Sequence, residues 1–159
     1  GFSRAIATTR KRGPSMSPSV SILVDTNVIL DVLCAREPFA DASEAVLNLC
    51  EGGVVSGRIS ALSIPNIVYI MRKELDAALV ESVVDSLDIA VGIAELRPSD
   101  LKAAASMRWK DYEDAVQAAT AKRLGADFIV TRNVKDFLDS PVPAIEPAEF
   151  LRQVGGSLW

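Results

Sequence analysis

The stretch "SILVDTNVIL", residues 21–30, is an apolar run interrupted once, by Asp25, Thr26 and Asn27, before the chain turns apolar again. Together with Val20 its first half reads "VSILV", a continuous apolar run of the kind found in strands covered on both faces. The second half opens "NVILDVLCA", which has helical spacing. A buried strand passing directly into a helix is the start of an α/β unit, and here it leaves a carboxylate at the strand tip. Asp25 could simply cap the helix or shape a turn. It could also be held there because a cation or a substrate needs it.

Outward from this stretch the same alternation continues. "FADASEAVLNLCEGG" predicts a helix, with Ala45, Val46, Leu49 and Cys50 at helical spacing and two glycines as its stop. "VVSGRIS" (54–60) predicts a second strand, followed by helices around "IPNIVYIMRKEL" and "AALVESVVDSL". "IAVGIAEL" (89–96) predicts a third strand. "SDLKAAASMR" and "YEDAVQAATAKRLG" predict helices, with Ser99 as N-cap of the first and Gly125 closing the second. "DFIVT" (127–131) predicts a fourth strand and "PAEFLRQV" a short last helix. The order predicts a three-layer α/β/α sandwich with a mostly parallel central sheet. Residues 1–19, rich in Ser, Arg and Pro without periodicity, are expected to be a disordered tail or an expression remnant. A single domain is expected over 20–154, with 155–159 as a C-terminal tail.

Composition narrows the chemistry. The 159 residues contain 49% hydrophobic residues, enough for one domain with a core. There is no histidine, which excludes Ser-His-Asp and Cys-His catalysis and any histidine-bearing zinc site. Acid and base work falls to carboxylates or to a metal-bound water. Cys34 and Cys50 lack metal-site spacing and are expected as small buried hydrophobes. No run approaches the roughly 20 apolar residues that span a bilayer, nor is there a secretory signal, so a cytoplasmic location is expected. Net charge is −4, and Arg4, Arg10, Lys11 and Arg12 all precede Met16; the rest has 13 basic against 21 acidic residues. A nucleic acid held mainly by the chain's own cations is not expected from that balance. A phosphate substrate would need a bridging cation.

In open α/β sheets ligands bind beyond the carboxyl ends of the strands. Asp25, Thr26 and Asn27 follow the first strand there. Thr131, Arg132 and Asn133 follow the fourth, with Asp136 three residues on. In "KDYEDAVQAAT" the carboxylates Asp111 and Asp114 are three apart and share a helix face. A cap at Asp111 and a dipole-favoured first-turn acid at Asp114 would account for that pattern alone. Taken together, oxygen ligands from several elements suit Mg²⁺ or Mn²⁺. Such a cation could join an acidic pocket to a phosphodiester and activate a water for in-line attack.

"ILVDTNVILDVL", "DYEDAVQAAT" and "ADFIVTRNVKDF", in that order, resemble the PIN domain, the nuclease fold that includes VapC-like toxins of bacterial toxin–antitoxin pairs. The resemblance runs from about residue 20 to "PAIEPAEFL". It implies an Mg²⁺- or Mn²⁺-dependent endoribonuclease that hydrolyses RNA phosphodiester bonds, as the toxin of a type II pair, commonly as a homodimer and with an antitoxin protein as partner. Carried over, Asp25 and Asp114 match family acids and are the expected metal ligands. The family usually has a Glu on the helix after the second strand and an acid after the fourth. These positions fall on Asn66 and Asn133. The expected catalytic set is therefore Asp25, Asp111, Asp114 and Asp136, with Asn66, Thr131 and Asn133 in support. Arg132 and Lys135 are expected to contact substrate phosphates, with Arg108 and Lys110 also near in sequence. Trp109 and Tyr112 could stack on a base or simply pack in the core.

Two other readings stay open. "DTNV" resembles the nucleophile motif of haloacid-dehalogenase phosphatases, although Asn27 replaces its second Asp and the chain is short for that fold with its cap. The amides at 66 and 133 also leave room for an inactive PIN-like module that binds RNA or protein.

Overall fold

A computed structural model describes residues 20–158; the expected tail at 1–19 lies outside the described residues, as does Trp159. Five parallel strands form one sheet in the order β3-β2-β1-β4-β5: β1 (Ser21–Val24), β2 (Ser56–Ser60), β3 (Ile93–Ala94), β4 (Phe128–Val130) and β5 (Ala144–Ile145). Between them run α1 (Thr26–Leu33), α2 (Ala40–Glu51), α3 (Ser63–Ile70), α4 (Ala77–Ala90), α5 (Pro98–Met107) and α6 (Tyr112–Leu124). A 3₁₀ turn (Val134–Phe137) precedes β5, and α7 (Pro147–Leu158) ends the chain.

The apolar run around β1 is buried on both faces, as its sequence requires. Ile22 and Val24 point to one side and join Val28, Val46, Leu47, Leu87 and Phe150 from α1, α2, α4 and α7. Leu23 points to the other and meets Ala118, Ala121 and Phe137. That alternation follows from the two-residue period of a strand and fixes the three layers. Burying each such side chain stabilises the fold by about 1.5–3 kcal/mol, so β1 anchors the sheet.

Helix α6 is buried almost all round from Ala115 to Ala121 because it lies between the sheet and α5, and its small residues allow both approaches. Asp111 caps its start and Gly125, at φ 70°, closes its end in the left-handed region, as expected. Gly57 in β2 lets α2 approach closely, since a Cβ there would run into Cys50 Sγ.

Several boundaries differ from expectation. β3 is only two residues long because α4 continues through Ile89 and Ala90, and Gly92 at φ 95° makes the turn. Ser99 is not the cap of α5: Arg97 holds that position, and its N–H donates to Asp100 Oδ2 at 2.9 Å. The fifth strand, in "PVPAIEP", is too short and Pro-flanked for a periodicity signal. Helix α7 runs on to Leu158, past the expected boundary at 154. Cys50 is buried as expected, but Cys34 is exposed at the C-cap of α1. Among the described residues no helix is long and apolar enough to cross a membrane.

Candidate active site

β1 lies between β2 and β4, with β3 and β5 outside them, so successive connections leave the β1 edge in opposite directions. The crevice opened at the carboxyl ends of β1 and β4 is where open parallel sheets bind ligands. Asp25 stands in it, 7% exposed, at the N-cap of α1. Its Oδ1 accepts from the Thr26 N–H at 2.8 Å, and its Oδ2 accepts from Thr131 Oγ1 at 2.7 Å. Burial pushes the Asp25 pKa up; the hydrogen bonds from Thr131 and Thr26 oppose this, while the charges of Asp111 and Asp136 add to it. Asp25 is thus a cap and an uneasy buried carboxylate at once.

Asp114 arrives from the first turn of α6. Its pKa is pushed up to about 7, first by burial and then by repulsion from Asp111, Asp25, Asp136 and Glu113. Asp25 and Asp114 line one pocket of about 380 Å³, together with Asn66, Glu113, Gln117 and Asn133 and the α1 residues Thr26, Asn27 and Leu30. Among the described residues no Lys or Arg lines that pocket. Thr26 Oγ1 and Ser63 Oγ lie 2.7 Å apart, and Gln117 Nε2 donates to Ser63 Oγ at 3.0 Å and Thr26 Oγ1 at 3.4 Å. This network ties α1, α3 and α6 together.

The expected residues therefore divide into three groups. Asp25, Asp114, Asn66 and Asn133 share the pocket. Thr131 is fully buried behind it and serves as a hub, donating to Asp25 and accepting from the Asn133 N–H at 3.1 Å. Asp111 and Asp136 lie instead on a larger groove of about 1750 Å³ along α5, the start of α6 and the 3₁₀ turn, and Lys135, Lys110 and Arg108 line it too. Asp111 Oδ1 is occupied as a cap by the Asp114 N–H at 3.1 Å. Trp109 packs edge-on against Phe137, with centroids 5.9 Å apart, while Tyr112 is exposed on the groove.

Arg132 departs from its expected place. Its Nε lies 2.7 Å from Asp31 Oδ2 and its guanidinium sits 4.2 Å over the Phe39 ring. Asp31 is fully buried, and an unpaired charge there would be very costly, so Arg132 is committed to it and lines neither pocket nor groove. Sequence reading missed Glu113, Gln117 and Ser63. Gln117 was findable, three residues after Asp114 on the same helix face.

Among the described residues no three Asp, Glu or Cys side chains converge into a ready metal cage. The donors nevertheless fit a hard divalent cation. Mg²⁺ is commonly held by one or two carboxylates and keeps several waters, and the pocket offers two raised carboxylates with oxygen neighbours. Gln117 Oε1 is buried without a hydrogen-bond partner among the described residues, and a buried acceptor of that kind is ordinarily met by a water.

A family model described as the PIN domain matches residues 21–135. The chain belongs to the PIN domain family. Its PIN fold is shared with a toxin–antitoxin complex from Klebsiella pneumoniae, at 22% identity and TM-score 0.62, covering 79% of this chain and 97% of that one. VapBC-1 from nontypeable Haemophilus influenzae is similar at 16% identity and TM-score 0.63, covering 81% and 99%. VapBC2 from Rickettsia felis, bound to a promoter DNA fragment, is similar at 17% identity and TM-score 0.61, covering 80% and 98%. At these identities the likeness is one of fold. No curated protein sequence matches the chain. Membership of the PIN family sets the phosphatase reading aside.

Proposed function

We propose that this PIN domain is an Mg²⁺- or Mn²⁺-dependent endoribonuclease and the toxin of a type II toxin–antitoxin pair. The observation that carries the reading is the convergence of Asp25 and Asp114, from elements far apart in sequence, on one pocket at the sheet's switch point. Both pKa values are raised from the ordinary carboxylate value, and among the described residues no cationic side chain lines the pocket. Asp25 and Asp114 would hold the cation, which when bound supplies charge neutralisation and electrophilic activation of a phosphodiester. Thr131 and the Thr26 N–H orient Asp25. Asp111 and Asp136 keep the potential negative from the groove side, and Lys135, Lys110 and Arg108 offer contacts for the flanking phosphates. Tyr69 and Ile70, 65% and 49% exposed at the rim of the pocket on α3, fit an antitoxin or second-protomer contact beside the site.

The test is cleavage of single-stranded RNA by the purified chain in Mn²⁺, set against EDTA and Asp25→Asn. Metal-dependent cutting lost in Asp25→Asn is expected. Growth arrest on expression, relieved by co-expression of a small protein encoded beside the gene, is expected for the toxin role. The amides Asn66 and Asn133 favour a second reading, a module that binds RNA without cutting it. RNA retained but intact in Mn²⁺, with Asp25→Asn indistinguishable from wild type, would establish that reading instead.

A further inference from the structure

Glu113 is the residue before Asp114 on α6 and lines the same pocket as Asp25 and Asp114. An acid in a first helical turn ordinarily needs no explanation beyond the helix dipole. Glu113 differs in two respects. The cap of α6 is already Asp111, and the Glu113 carboxylate is met from another element: Asn66 Nδ2, on α3, donates to Glu113 Oε2 at 3.4 Å. This contact is long and exposed, but it joins residues 47 apart in sequence across the pocket. The charge of Glu113 is also among those that act on Asp114.

A separate observation concerns Gln117. Gln117 is 3% exposed and lines the pocket. Ser63 and Thr26 accept from its Nε2, while its Oε1 has no hydrogen-bond partner. A buried acceptor without a donor is satisfied by a water or by an ion's hydration shell.

We infer that Glu113, oriented by Asn66, is the third charged oxygen donor of the pocket, acting with Gln117 Oε1 on the water shell of the divalent cation that Asp25 and Asp114 hold. The inference rests on the metal-dependent reading of this pocket. It accounts for the absence of a three-carboxylate cage among the described residues, since Glu113 acts through water and not by direct ligation. It also gives Asn66 a task. The carboxylate expected on α3 is supplied across the pocket from α6, and the amide on α3 positions it.

The test is direct Mn²⁺ binding by the full chain, read from the electron paramagnetic resonance signal of free Mn²⁺ and independent of any cleavage. Glu113→Gln should weaken binding by roughly tenfold or more, the scale on which outer-shell partners act. Asn66→Ala should weaken it by a smaller factor. The double variant Asn66→Glu with Glu113→Gln, which returns the carboxylate to α3, should recover most of the loss. Glu149→Gln, paired with Arg152 on α7, should bind like wild type. Thermal unfolding in EDTA confirms that each variant folds. Wild-type affinity in Glu113→Gln, with binding abolished in Asp25→Asn, overturns the inference and leaves the metal site standing. Failure of the wild-type chain to bind Mn²⁺ overturns both.

Discussion

Thr131 Oγ1 donates to Asp25 Oδ2 at 2.7 Å between the tips of β4 and β1, with both residues buried. This single bond joins positions 106 residues apart and fixes the rotamer of the carboxylate at the switch point. It also separates structure from chemistry in a substitution. Asp25→Asn keeps size and, at Oδ1, the acceptor for the Thr26 N–H, but it puts an NH2 donor where Oδ2 accepted from Thr131 Oγ1, a contact that survives with the hydroxyl turned to accept, and it removes a charge that burial disfavours. The metal-free variant is expected to be at least as stable as wild type by urea denaturation, while Mn²⁺ binding and RNA cleavage disappear. Cleavage surviving in a folded Asp25→Asn protein would rule out its role as a ligand.

The raised carboxyls set a pH dependence with a definite sign. Asp114 titrates at about 7 in the folded chain and at about 3.9 when unfolded. Between those values the folded state binds a proton that the unfolded state has released, so stability falls as pH rises through this window. Asp25, also raised, acts in the same direction. Asp100 acts oppositely: burial disfavours its charge, but Arg123 and the Arg97 N–H hold it low, so its contribution is present above about pH 4 and fades below it. In EDTA the Tm should therefore decline between about pH 4.5 and 7, and Asp114→Asn should flatten the decline. Saturating Mn²⁺ should reverse it, because the cation binds the deprotonated form. A metal-free Tm that climbs through that range in wild type contradicts the assignment.

The fold was legible because β1 and β4 are buried on both faces, and their apolar runs end in polar residues at the same edge of the sheet. β3 was foreseen only within a longer strand over 89–96 and β5 not at all, since two residues carry no period and their pairing is decided by neighbours far away in sequence. At the candidate site, spacing within one helix exposed Asp111 and Asp114. The same spacing allowed for Asp111 as a cap, but it could not show that Asn66 on α3 comes within hydrogen-bond reach of Glu113, because that depends on where α3 lies beside α6. Arg132 misled for a related reason. Its sequence neighbours lie at the strand tip, but its counter-ion, Asp31, lies a full helix away on the buried face of α1.

That pairing yields its own prediction. Arg132→Met leaves Asp31 buried and unpaired and should cost about 3–5 kcal/mol, whereas Asp31→Leu combined with Arg132→Met should recover most of the stability. Chemical denaturation of the two single variants and the double measures the coupling. If Arg132 instead served substrate phosphates, the double variant would be stable yet bind RNA markedly more weakly in Ca²⁺ than wild type. The structure predicts nearly unchanged binding.

The cations nearest the acidic pocket are those on the large groove, which shares Glu113 and Asp114 with the pocket and so leads into it. Arg123, although it lines the groove, is tied to Asp100 at 2.8 and 3.0 Å. Lys110 and Lys135 have no such ion pair among the described residues and flank Asp111 and Asp136 in sequence. Each phosphate contact to a single strand contributes about 0.7 to the slope of log K against log salt. In the Asp25→Asn background, where RNA is bound without being cut, Lys110→Gln together with Lys135→Gln should lower that slope by about 1.4 and weaken binding across unrelated sequences alike. Fluorescence anisotropy with a short labelled single strand over a salt series reads both quantities. A slope that does not change would place the strand elsewhere on the surface and separate the groove from the acidic pocket.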